Sequence, residues 1–319
     1  MSNDRKTPFN FQHPAWIFAV CAFLAYVTFR LKTATTSHWD DGTLEQIQAL
    51  LVQFKYYNNE QSRLLQWGIP ELLTRILPVQ LHTAYGMQRL VFTTLAFFTF
   101  HRSSSRWLNN TAALLAVVLF ALLTAFTFQG DLQESAPLLA FTFVAALWAM
   151  REGRLALFAG IIWFGGLNNE TMLFLPAVYL FVNFRSWAFA PLARLCGTAF
   201  LLGLPGLLTV GAIRYITRDQ PYLGGGWHWQ ANLMALDSVV LFLGVFWVLA
   251  FIQYKQLPVF LQRCLLTIPL FLIPNMFIGI ITETRLLLPL CYFVLPAALW
   301  TFLPDARSTD SGEAYIDQH

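Results

Sequence analysis

Charged side chains are scarce along this sequence: Asp, Glu, Lys and Arg make up 12% of its 319 residues, roughly half the share of an ordinary soluble domain. With 57% hydrophobic residues and a mean hydropathy of +0.54, the chain has too few polar groups to cover a water-facing globule, so lipid must solvate most of it. Paired cysteines are missing as well. Cys21, Cys196, Cys264 and Cys291 stand singly inside apolar stretches, which excludes the spacing of a zinc or redox site and makes them small core hydrophobes. The sequence has no phosphate-cradling glycine loop, dinucleotide fingerprint, zinc signature or serine-nucleophile motif, so soluble nucleotide chemistry is not expected. The small net charge of +3 reports on membrane topology, with no nucleic-acid partner implied. No small-residue cleavage site follows the polar stretch Met1–His13, so the first apolar run is expected to be retained as a helix.

What is abundant is apolar runs. At about 20 residues per crossing, the length accommodates roughly eight to ten membrane segments, predicting an all-α, polytopic transmembrane bundle. A single integral membrane domain is expected over residues 1–304, with a disordered polar tail over 305–319. The runs fall at Pro14–Leu31, Pro78–Phe100, Asn110–Phe128, Pro137–Met150, Leu195–Ile213, Leu233–Tyr254, Leu265–Ile281 and Leu286–Leu303. Two shorter ones, Leu155–Leu167 and Thr171–Phe184, are open to being crossing helices or a broken, re-entrant pair. In the polar segment Lys32–Leu77, the helical spacing of Leu44, Ile47, Leu50, Leu51 and Phe54 predicts an amphipathic interfacial helix.

Orientation follows from Lys and Arg in short connections. A cytoplasmic N-terminus puts Arg102, Arg106, Arg151, Arg154, Arg185, Arg194, Lys255, Arg263 and Arg307 on that side, with the C-terminus. The opposite face receives most of the acids, including Asp40, Asp41, Glu134, Glu170 and Glu283.

The adjacent carboxylates of Trp39-Asp40-Asp41-Gly42 offer a general base or a cation site, or else a solvated turn that caps the helix beginning near Thr43. Glu170 lies between the two half-length runs, as a functional carboxylate or a polar surface turn. Arg89, mid-span, costs at least ~2.5 kcal/mol on insertion scales and needs a compensating partner. A lipid phosphate, Asp237 or another interhelical carboxylate would serve. Glu283 and Arg285, two apart in a turn, read as a phosphate-binding pair or as interfacial anchors. In Gly224-Gly225-Gly226-Trp227-His228-Trp229, the aromatics around His228 form an interfacial belt or a lid that stacks on a sugar; no second ligand is spaced to make His228 a metal site.

An early extracytoplasmic acid pair, an interfacial helix and short spans together resemble the C-type, polyprenyl-phosphate-sugar-dependent integral membrane glycosyltransferases. Gly165-Gly166-Leu167-Asn168-Asn169-Glu170-Thr171, followed by Pro176, and Glu283-Thr284-Arg285-Leu286-Leu287-Leu288-Pro289 are similar to segments of bacterial members. With no soluble domain, the chain resembles a short or degenerate relative. The resemblance implies a bacterial inner-membrane location, a lipid-phosphate-linked sugar as donor, and no separate cofactor. It also implies a catalytic base at Asp40 or Asp41; Arg89, Glu170, Glu283, Arg285 and His228 are, from their own chemistry, the candidates for binding the donor. The competing expectation is a non-catalytic subunit whose partners are membrane lipids and other membrane subunits.

Overall fold

A computed structural model describes residues 13–36, 42–56, 59–125, 127, 134–218 and 226–308. Apart from an isolated bridge between Leu108 and Arg307, the described residues are helical or in turns and loops. Four helices are long and apolar enough to cross a membrane: Pro14–Thr35, Phe189–Ile216, Val259–Ile278 and Thr284–Phe302. Shorter apolar helices run beside them.

The first, α1 (Pro14–Thr35), has Pro14 in its first turn, where a missing N–H costs nothing. Two helices then occupy the polar segment, α2 (Thr43–Val52) and α3 (Leu64–Ile76). In α2 the apolar stripe buries Leu44 and Leu51, as its spacing predicts, but leaves Leu50 exposed. Past its end, Phe54 adopts a left-handed conformation at φ +55°, and its ring packs edge-on against Trp67 of α3 at 5.7 Å.

Three helices follow in tight succession, α4 (Leu81–Ser104), α5 (Asn110–Ala125) and α6 (Ser135–Arg151). The two short runs become α7 (Leu155–Gly166) and α8 (Leu175–Asn183), joined through a 3-10 turn at Glu170–Phe174. The turn reaches the far end of α6, where Asn168 Nδ2 donates to the Ser135 carbonyl at 3.0 Å, so the pair runs the full length of that neighbour. After it, α9 (Phe189–Ile216) extends about 42 Å at 1.5 Å per residue.

The apolar run at Leu233–Tyr254 does not form one helix. It is divided into α10 (Trp229–Met234), α11 (Leu236–Leu243) and α12 (Val245–Ile252). The last break falls at Gly244, whose φ of +50° a side chain would oppose. Two pieces, α13 (Val259–Leu265) and α14 (Ile268–Ile278), precede the final helix, α15 (Leu288–Phe302).

Burial separates the centre of the bundle from its rim. For α15 and its lead-in turn, 83% of the apolar window is buried, against 22% for α1 and for α9. The Tyr292 ring sits among Phe100, Phe120 and Phe143, and its hydroxyl donates to the Ala140 carbonyl at 2.9 Å, so a core tyrosine meets both its apolar and its polar requirements. The outer faces of α1 and α9 keep Phe23, Phe200, Leu201 and Leu208 exposed, as lipid contact requires.

The two ends of the bundle differ in charge. At one end Arg106 meets Glu152, Arg151 lies 4.5 Å over Trp107, Trp107 stacks on Phe260, and Arg307 reaches Gln253. There residues 304–308 are pinned, Asn109 N–H donating to the Ala306 carbonyl and Ser308 N–H to that of Trp107. The opposite end is covered by α2 and α3 and carries the acids considered next.

Candidate functional site

Asp40 and Asp41 lie outside the described residues; Gly42, next in sequence, opens α2. From there the α2–α3 segment is fastened onto the bundle by polar bonds. Gln48 accepts from the Tyr85 hydroxyl at 2.7 Å and donates to Glu71 at 3.0 Å and to the Trp67 carbonyl at 3.2 Å. Leu65 N–H donates to the Leu167 carbonyl, and Gln88 Nε2 to that of Gln66, both at 3.3 Å.

Beneath this cover, Gln66, Gln88, Arg89, Glu134 and Asn168 are all buried, although none is apolar. They form one neighbourhood. Gln88 touches Gln66 and adjoins Arg89 on α4; Arg89 donates to Glu134 Oε2; Asn168 reaches Ser135, the residue after Glu134. The amide nitrogens of Gln88 and Asn168 each donate to a carbonyl, which fixes their oxygens as the remaining atoms. Four buried oxygens then have no hydrogen-bond partner among the described residues: Gln66 Oε1, Gln88 Oε1, Glu134 Oε1 and Asn168 Oδ1. Buried acceptors without donors are costly, and Trp67 Nε1, next to Gln66 in sequence, is a buried donor that likewise has no partner among the described residues. No group of three His, Cys, Asp or Glu side chains converges there or elsewhere among the described residues.

The counter-charge that Arg89 requires is Glu134, just ahead of α6, and not Asp237 on α11. Both side chains are almost fully buried, which makes this an interhelical pair between α4 and α6. Arg89 lies in the N-terminal part of α4 and Glu134 at the N-terminus of α6, and the two meet because α4 and α6, with α5 between them in the chain, run parallel.

Glu170 pairs with Arg214 near the end of α9 at 3.0 Å, and Arg214 also donates to Asn59 Oδ1 at 3.2 Å. Glu170 and Arg214 are 40% and 39% exposed, so Glu170 reaches the surface and the pair contributes about 1 kcal/mol or less. Glu283 and Arg285 meet each other at 2.5 Å, despite a two-residue spacing that would separate them on a helix. A 3-10 turn, Thr284–Leu287, takes the helix's place and lets the arginine fold back.

His228 opens α10, and its N–H donates to the Phe277 carbonyl at 2.9 Å. Trp229 stacks on the Phe277 ring and Trp227 meets it edge-on, each at 5.6 Å, so the aromatics dock on the end of α14. Sequence reasoning passed over the residue that secures this corner. Buried Asn232 donates to the carbonyls of Asn275, Met276 and Gly279 and accepts from Ile281 N–H at 3.0 Å, completing the end of α14 with its side chain.

Against known proteins, the chain matches no family model, no curated protein and no solved structure. Its site is therefore argued from its own residues.

Proposed function

We propose that the protein transfers a sugar from a lipid-phosphate carrier to an acceptor at the extracytoplasmic face, as the resemblance to C-type glycosyltransferases implies. The observation that carries this reading is the set of buried polar side chains, Gln66, Gln88, Glu134 and Asn168, at the end that α2 and α3 cover, each with an oxygen that has no partner among the described residues. The gathering of Arg106, Arg151 and Arg307 at the other end supports cytoplasmic termini, and with that orientation the neighbourhood belongs to the extracytoplasmic side.

In the reaction, Asp40 or Asp41 takes the proton of the acceptor hydroxyl as that oxygen bonds to the anomeric carbon. The bond from the anomeric carbon to the phosphate oxygen breaks, and the carrier leaves as a lipid phosphate.

One observation favours the alternative, a non-catalytic subunit of a membrane complex. Arg89 and Arg285, the cations suited to a phosphate, each already hold a carboxylate, Glu134 and Glu283.

Protein in liposomes with a polyprenyl-phosphate-linked hexose separates the two. A transferase is stabilised thermally by the donor and releases polyprenyl phosphate, whereas Asp40→Asn and Asp41→Asn are tested for binding without release. A wild-type protein that neither binds nor consumes the donor sinks the transferase reading.

A further inference from the structure

At the end opposite that neighbourhood, a cleft of about 890 Å³ lies between α4 and α7, with α6 as its floor. We infer that it holds one anionic phospholipid of the adjoining leaflet, phosphate at its mouth and acyl chain along its floor. The inference does not rest on the transferase reading.

Polarity changes along the cleft in the order that a phospholipid presents. Phe141 and Phe164 lie deepest, then Phe98, Ala145, Gly160 and Ile161. From Phe141 to Trp148 on the floor is about 10 Å at 1.5 Å per residue. Arg102, Ser105 and Arg106 stand at the mouth, and Arg154 lies 5.1 Å over the ring of Trp148 there. Arg106 is shared with Glu152 at 3.2 Å, but Arg102 is exposed and has no carboxylate partner among the described residues. Among the described residues the mouth thus carries net positive charge where a lipid phosphate would lie, and a guanidinium matches that phosphate in geometry. Deeper in, Phe98, Phe141, Ile161 and Phe164 would strand a soluble phosphate or nucleotide, whereas they suit a hydrocarbon chain.

Two substitutions separate head from tail. Arg102→Gln removes the uncompensated cation from an exposed position. Gly160→Leu fills the apolar part: a Cβ at Gly160 meets nothing within 4 Å, and leucine suits a helix better than glycine, so the fold should tolerate it.

Native mass spectrometry of the purified full chain, titrated with phosphatidylglycerol or phosphatidylcholine, reads the result. The wild type should retain one phosphatidylglycerol at least about fivefold more strongly than phosphatidylcholine. Arg102→Gln should erase most of that preference, and Gly160→Leu should weaken retention of both lipids. Equal retention of the two lipids, unchanged in both variants, would mean nothing more than a boundary layer and would overturn the inference. Displacement of phosphatidylglycerol by millimolar inorganic phosphate alone would overturn it too, since the cleft would then recognise phosphate without the chain.

Discussion

The two ends of the bundle handle charge in opposite ways. At the end that α2 and α3 cover, Arg89, Glu170 and Glu283 each face an opposite charge, and the most deeply placed of these pairs is sealed from solvent. At the other end Arg102 has no carboxylate among the described residues, Arg106 is half exposed, and a cleft opens beside both. One end keeps its deepest charge paired away from solvent, and the other leaves a cation exposed beside a cleft. A buried charge must be matched within the protein, whereas an exposed one is matched by solvent or by a headgroup.

The sharpest way to break this contrast is at the sealed pair. Glu134→Ala leaves Arg89 buried beside an empty site and is expected to destabilise by about 3–5 kcal/mol, seen as a large fall in melting temperature in lipid nanodiscs. Arg89→Met combined with Glu134→Met should recover most of the loss. If the single and double variants melt alike, the pairing is not what matters.

Next in size is Asn232→Ala, which strands the Met276 and Gly279 carbonyls and the Ile281 N–H at the end of α14, while the Asn275 carbonyl keeps the Gly279 N–H. A loss of about 2 kcal/mol is expected, with faster proteolysis between α14 and α15. An unchanged melting temperature would mean that backbone rearrangement serves those groups equally well.

A smaller effect involves pH. The amide of Gln48, and then Arg75, hold the Glu71 carboxyl below its ordinary value. A depressed carboxyl contributes stability that is fully present above the unfolded value of about 4.5 and is lost as pH falls through the lower folded value. Between pH 6 and pH 3 the wild type should therefore lose up to about 1 kcal/mol more than Glu71→Gln. Parallel melting curves for the two proteins would remove Glu71 from the account.

Least is expected at the open end. Arg102→Gln and Arg106→Gln should shift stability by no more than about 0.5 kcal/mol, because exposed arginines exchange protein contacts for water. A large loss at either position would show that this end is closed too.

Most helices were legible as apolar runs, because lipid solvation demands such runs and little else produces them. The exceptions have specific causes. Helix α3 escaped notice because Gln66, Pro70, Glu71 and Arg75 interrupt its apolar pattern, and it is a covering helix with polar work to do. The breaks in Leu233–Tyr254 were invisible because hydropathy is insensitive to backbone direction, and Gly244 turns the chain without adding a polar residue. The need for a partner at Arg89 was legible from its position. That partner was not, since Glu134 reads as one more loop acid until helix packing brings it level with Arg89.

The close approach of α9 to its neighbours has a mechanical consequence. A Cβ at Gly203 would stand 2.7 Å from Pro176 Cγ, and one at Gly206 would stand 2.6 Å from Ile162 Cγ2 and 3.2 Å from the Ile162 carbonyl. These notches key α7, α8 and α9 together like the wards of a lock. Sliding one past another would drive a ring or a branched side chain out of its slot, so the three travel as a single body. Relative movement within the bundle is then left to elements outside these three, such as the jointed stretch on either side of Gly244.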